Sequence, residues 1–212
     1  MTPPCALQQR NARPVDRSLF QKPHPEGRRL ITRWADRGSG VPESADASDY
    51  FEGLIYLWFA MNGWGACVTG TDLDREWVDA VAGDEEIARP FADLLHVDDH
   101  FGAIVRQFGN LWPIFKSSEI RRLAIRVPES YTRGQRVQIY LEQGITFEPS
   151  CWRDHRGGDP PLDWTHTFQT LYRIRCNLFH GEKTLDSEND RQIVAAAYLV
   201  LMRIVQLLEL VA

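Results

Sequence analysis

The chain lacks an excess of basic residues. Its 24 lysines and arginines are outnumbered by 29 acidic residues, for a formal net charge of −5. No global positive field draws in a polyanion, so any contact with nucleic acid has to be local. Paired cysteines are also missing. Cys5, Cys67, Cys151 and Cys176 are scattered with no Cys-x-x-Cys, a pattern that predicts reduced thiols in a cytoplasmic protein. The polar, proline-rich N-terminus has no apolar run of the kind that forms a secretory signal. Neither a Gly-x-Ser-x-Gly elbow nor a P-loop occurs, and Gly63-Trp64-Gly65 does not follow a predicted strand, which excludes a dinucleotide fingerprint. No internal repeat is visible. The one long apolar stretch, 193–212, is broken by Arg203, Gln206 and Glu209 and has no second span beside it. Charges inside a bilayer are rare and costly. The stretch therefore predicts a helix buried on most sides, and no membrane partner.

What is present suits a core. Hydrophobic residues make up 43%, with 10 Phe and 7 Trp. Residues 1–28 carry five prolines and little periodicity, and predict a disordered or extended arm. Residues 29–212 predict one helical domain. Apolar residues recur at helical spacing over 49–68, with Ser48 or Asp49 as cap and Gly70 just beyond. Further helices are expected over 29–37, over 71–81 with a Thr71–Asp74 capping box, over 84–95 with a break at Pro90, and over 98–108. The middle, 117–163, predicts helices near 119–125 and 133–143, then an irregular excursion from Gly144 to Pro161. Two helices close the chain. The first is capped by Asp163 or Thr165 and ends near His180, with Gly181 in the left-handed position; the second is capped by Asp186 or Ser187. The sum is an all-α helix bundle.

The last helix shows two apolar stripes, one through Ile193, Ala197, Val200, Ile204, Leu207 and Val211, the other through Val194, Tyr198, Leu201, Val205 and Leu208. It predicts either an oligomer contact or a core strut. His96 and His100 stand at i and i+4 beside Asp98 and Asp99, but Asp98 suits a helix cap and no third ligand is evident, so no metal is expected. His155 and His166 flank a loop and predict surface residues. Tyr56, Trp58, Phe59 and Trp64 have a helical spacing that favours core over base stacking.

The most informative segment is Arg173-Ile-Arg-Cys-Asn-Leu-Phe-His-Gly-Glu-Lys183. Histidine moves protons near neutral pH. Arginine is always charged, and its planar fork fits phosphate oxygens. Phosphodiester cleavage without a metal needs such a set. On an ideal helix, however, Arg175 and His180 stand about 140° apart. They meet in one site only if the last turn frays or if two protomers contribute.

Arg175-x-x-x-x-His180 followed by Gly181 resembles the signature of the HEPN superfamily, in particular bacterial members linked to toxin–antitoxin and anti-phage systems. The likeness is strongest over 164–212 and looser over 49–68. It implies an HEPN-like bundle with additional helices and a homodimer whose paired motifs line one cleft. It also implies a metal-independent endoribonuclease with no cofactor, a toxin or defence effector with an antitoxin or other inhibitory partner. The ribose 2′-hydroxyl would attack the adjacent phosphate and leave a 2′,3′-cyclic phosphate. His180 would act as general base or acid, Arg175 would stabilise the phosphoryl charge, and Asn177 would orient a partner group. Arg173 and Lys183 would hold the neighbouring RNA backbone. Many members carry Asn, Asp or His directly after the arginine. Here that place is Cys176, and Asn177 is the candidate helper. Another subgroup has a modified tyrosine where this chain has Glu182, so that control is not expected. The alternative is a non-catalytic HEPN dimer that binds a nucleotide or a protein.

Overall fold

The computed structural model describes residues 14–21, 25–42, 45–128, 130–155, 161–181 and 187–211. Among them, nine α-helices and one two-stranded sheet occur: α1 Pro25–Ser39, α2 Ala47–Thr69, α3 Asp74–Ala82, α4 Glu85–Val97, α5 Asp99–Gly109, β1 Ile114–Phe115, α6 Ser117–Arg122, α7 Arg133–Glu142, β2 Phe147–Glu148, α8 Trp164–Phe179 and α9 Glu188–Leu207. The all-α expectation holds. Within the proposed arm, residues 1–13 and 22–24 lie outside the described set. Between them Arg17–Gln21 form a 3₁₀ turn, and Phe20 is buried.

Caps fix the helix ends. Asp46 accepts from the amides of Ser48 and Asp49 and starts α2, so neither of the two expected residues is the cap. Gly70 ends it at φ 66°, the left-handed conformation glycine adopts without a Cβ clash. The Thr71–Asp74 capping box does not form. Thr71 Oγ1 instead donates to Glu76 Oε2, 3.0 Å, and accepts from the amide of Leu73, so α3 starts two residues later than a Thr71 cap implies. Pro90 does not break α4, which runs through it. The carbonyl Pro90 leaves without a partner belongs to exposed Glu86, where water can satisfy it.

The core is built on α2 and α9, which pack together with α1 laid along α2 and α5 along α9. Both apolar stripes of the last helix are buried within this one chain, from Ile193 and Leu208 at 4% exposure to Val194, Ala197, Tyr198, Val200, Leu201 and Val205 at 0%, except that Leu207 and Val211 at its end are half-buried. Of the two expectations for the last helix, the structure shows the core strut. Small residues permit the close approaches. A Cβ on Gly65 would come within 2.3 Å of the Trp77 ring, which joins α2 to α3. The Tyr198 hydroxyl lies 3.0 Å from the carbonyl of Gly38 and 3.1 Å from that of Val41, sharing one proton between them.

Residues 113–152 form a separate layer with a small core of their own, Phe115, Leu141 and Ile145. β1 and β2 pair antiparallel, Ile114 with Glu148 and Phe115 with Phe147. Glu119 pins α6 to the approach of β2, accepting from the Thr146 amide at 2.8 Å, its hydroxyl at 3.1 Å and Lys116 Nζ at 3.1 Å. The Thr146 amide is the largest reason the Glu119 carboxyl is held down at about 2. A lowered carboxyl pKa adds stability above the unfolded value near 4.5, and that stability disappears as pH falls toward 2. Glu119→Gln is expected to cost about 1–2 kcal/mol at pH 7. The gap to wild type in urea melts should narrow steadily between pH 5 and about 2. A gap independent of pH would contradict the assignment.

Candidate functional site at the end of helix α8

Helix α8 begins where the side chain of Asp163 accepts from the His166 amide, 2.9 Å. It is regular through Phe179. His180 is the cap residue at φ −87°, and Gly181 follows at φ 67°, the left-handed position expected of it. The last turn therefore does not fray before Phe179, and the angular separation of Arg175 from His180 persists within one chain.

One face of α8 is polar and buried. His166, Arg173 and Asn177 stand at i, i+7 and i+11, within about 20° of one line, and all three tie the helix to the 113–152 layer. Asn177, 2% exposed, donates from Nδ2 to the carbonyl of Phe115, 2.8 Å, and accepts at Oδ1 from the amide of Ser117, 3.2 Å. Its amide thus holds the end of β1 and the start of α6. Arg173 Nη2 lies 3.8 Å from Glu148 Oε1, with both side chains at least 88% buried. Burial pushes the Glu148 carboxyl up, and the Arg173 charge works against that shift. Arg173 is committed inside the molecule, whereas a backbone clamp needs it at the surface. Lys183 and Glu182 lie outside the described residues.

Arg175 occupies the opposite face. Its Nη1 pairs with Asp74 Oδ2 on α3 at 2.8 Å, and its guanidinium carbon lies 4.7 Å from the centre of the Phe179 ring. The Trp58 and Tyr172 rings each stand 6.0 Å away. Such a guanidinium gains from both the carboxylate and the aromatic faces. Phe179 is 41% exposed and meets Phe59 edge-on at 5.8 Å; Phe59 also touches Trp34 and Tyr56. Arg37 lies over Tyr56 at 4.5 Å. The aromatic group expected to be core is therefore split. Trp58 and Trp64 are buried, while Tyr56 and Phe59 are half-buried beside exposed Phe179. His180 is exposed, and its imidazole has no hydrogen-bond partner among the described residues. Burial, with the neighbouring Cys176 adding to it, pushes the Tyr172 phenol up to about 12, so it stays neutral at any working pH.

The other histidines sort as follows. His96 and His100 are exposed at the α4–α5 junction, where Asp98 caps α5 through the Phe101 amide, 2.9 Å, and pairs with Arg203. Among the described residues, no group of three His, Cys, Asp or Glu is placed to hold a metal. The side chain of His155 lies outside the described set. His166 departs from expectation: it is 8% exposed, not a surface residue, because it sits between Asp163 and Cys151. Sequence spacing gave no sign of Cys151, Glu148 or Asp74 as partners of α8, since each comes from a different element. No helix among the described residues is long and apolar enough to cross a membrane. No family model, curated protein or solved structure matches the chain.

Proposed function

We propose that the protein is a metal-independent endoribonuclease of HEPN type, a toxin or defence effector whose working site is completed by a second copy of the chain. The observation that carries this reading is the end of α8. An exposed imidazole is presented at a helix terminus, and five residues earlier a phosphate-fitting guanidinium, with 16% of its side chain exposed, is held between Asp74 and the ring of exposed Phe179. The two stand on different sides of one helix, so a twofold pair is needed to bring His180 of one copy toward Arg175 of the other. Exposed Phe179, with Phe59 and Tyr56 behind it and Arg37 nearby, offers rings on which bases flanking the scissile phosphate can stack. An acidic chain needs such a local device to hold RNA.

His180 Nε2 or Nδ1 takes the 2′-hydroxyl proton, or delivers one to the departing 5′-oxygen. Arg175 neutralises charge on the phosphoryl oxygens. Asn177 acts on this chemistry only by fixing α8 against β1 and α6, because both ends of its amide are engaged.

Cleavage of single-stranded RNA by the purified protein is expected to continue in excess EDTA, giving 2′,3′-cyclic phosphate ends, with light scattering showing a homodimer. Activity lost on chelation and restored by a divalent ion would sink the metal-independent mechanism. A monomer that cleaves at full rate would remove the paired site.

A second reading is favoured by the Arg175–Asp74 pair: a non-catalytic module of the same type that binds a nucleotide or protein. A guanidinium already neutralised by a carboxylate is a weaker phosphate ligand. Nucleotide binding seen by calorimetry, with no turnover of RNA, selects this reading.

A further inference from the structure

At the N-terminal end of α8, Cys151, His166 and Asp163 form a relay that the ribonuclease reading leaves unused. Cys151 Sγ lies 3.0 Å from His166 Nε2, and His166 Nδ1 lies 2.6 Å from Asp163 Oδ1. His180 is fourteen residues further along the helix, about 21 Å at 1.5 Å per residue. The relay is therefore a separate place.

The chemistry of the chain of bonds is directional. An ionised aspartate only accepts, so the hydrogen on the imidazole is fixed at Nδ1. Nε2 then faces the thiol as the basic nitrogen. Asp163 is itself held, because the same Oδ1 accepts the His166 amide and caps the helix. A nucleophile, a base within reach and a third group orienting the base make the arrangement that activates a cysteine. The thiolate, not the thiol, is the reacting form. None of Cys67, Cys151 and Cys176 is in a disulfide. Access sets the substrate class. Cys151 is 3% exposed, which excludes a peptide or an acyl chain and leaves a molecule little larger than water as the class of substrate.

We infer that Cys151 is a peroxide-reactive thiol, activated by His166 and Asp163 and oxidised to a sulfenic acid. The thiol proton passes to His166 Nε2. The sulfur pair attacks one peroxide oxygen, the O–O bond breaks, and the departing hydroxide takes the proton back from Nε2 to leave as water. One thiol and one hydrogen peroxide give one sulfenic acid and one water. The sulfur loses two electrons and the peroxide gains them. Among the described side chains, the charged groups near the relay include Glu148, three residues before Cys151, and Arg173, two turns beyond His166; they pair with each other.

The test uses the full chain with hydrogen peroxide and a dimedone-type sulfenic acid trap, with each cysteine peptide quantified by mass spectrometry. Cys67 is the internal reference. Burial pushes its thiol up, and its Sγ lies 3.5 Å from the carbonyl of Leu19. Cys151 is expected to be trapped at least ~10-fold faster than Cys67 at neutral pH, and its rate should fall far less than that of Cys67 between pH 8 and about 6. His166→Gln should slow trapping at Cys151 by about tenfold. Asp163→Ser, which keeps a helix cap but loses the carboxylate, should slow it by about threefold. The wild-type comparison decides without any variant, should either one misfold. Trapping at Cys151 no faster than at Cys67, or falling with pH in parallel to it, overturns the inference. So does a folded His166→Gln protein that is trapped at the wild-type rate.

Discussion

Replacing His180 by alanine is expected to lower RNA cleavage by on the order of 10²–10⁴. The residue is exposed and caps a helix whose last bonds are made by its backbone, so the fold does not depend on the imidazole. Arg175→Lys keeps the charge and loses the planar fork, and should cost roughly 10²–10³. Because Arg175 also bridges α8 to Asp74 on α3 and packs against the Phe179 ring, its variant has to be matched for helicity and dimerisation before rates are compared. Residues acting on one transition state are not additive, so the double variant should lose less than the product of the single losses. Folded single variants that both cleave at the wild-type rate would refute the catalytic reading and leave the binding module.

The largest structural effect is expected at Trp58. Its ring is 0% exposed and stands 6.1 Å from that of Trp77, 6.2 Å from those of Phe168 and Tyr172, and 6.0 Å from the Arg175 guanidinium. It is the point where α2, α3 and α8 meet. Trp58→Ala removes that shared wall and should cost about 3–5 kcal/mol in urea unfolding, a large part of the ~5–15 kcal/mol that holds most domains together. A loss under about 1 kcal/mol would show that neighbouring rings collapse into the space.

The long helices were legible because period and caps agree. The apolar spacing of α2, the Asp98 cap of α5, the Ser187 cap of α9 and Gly181 after α8 all stand as the sequence suggests. Several failures have local causes. The two strands are two residues each, too short to show alternation. Pro25 opens α1 at its first position, where a missing amide costs nothing, so the helix starts inside the proline-rich stretch. At the site, the motif's position on a helix end could be read, but the directions of its side chains could not. Arg173 and Asn177 look like surface chemistry in a list of letters. Counted from buried His166 they fall on one inward line, while Arg175 falls opposite. That count needs one buried residue as an anchor, and only the fold supplies it.

The inward polar line of α8 has a consequence for the orientation of the helix. An apolar helix face tolerates rotation about its axis, because one aliphatic contact replaces another. This face does not. Turning α8 by one residue, about 100°, would strip the Asn177 amide from Phe115 and Ser117, Arg173 from Glu148 and the His166 imidazole from Cys151. Each polar group left buried without a partner costs about 1–3 kcal/mol, and more where it is charged. The stripe works as a key in a lock. It admits a single azimuth of α8, and so fixes the compass bearing at which Phe179, with Arg175 packed against its ring, meets whatever arrives from outside.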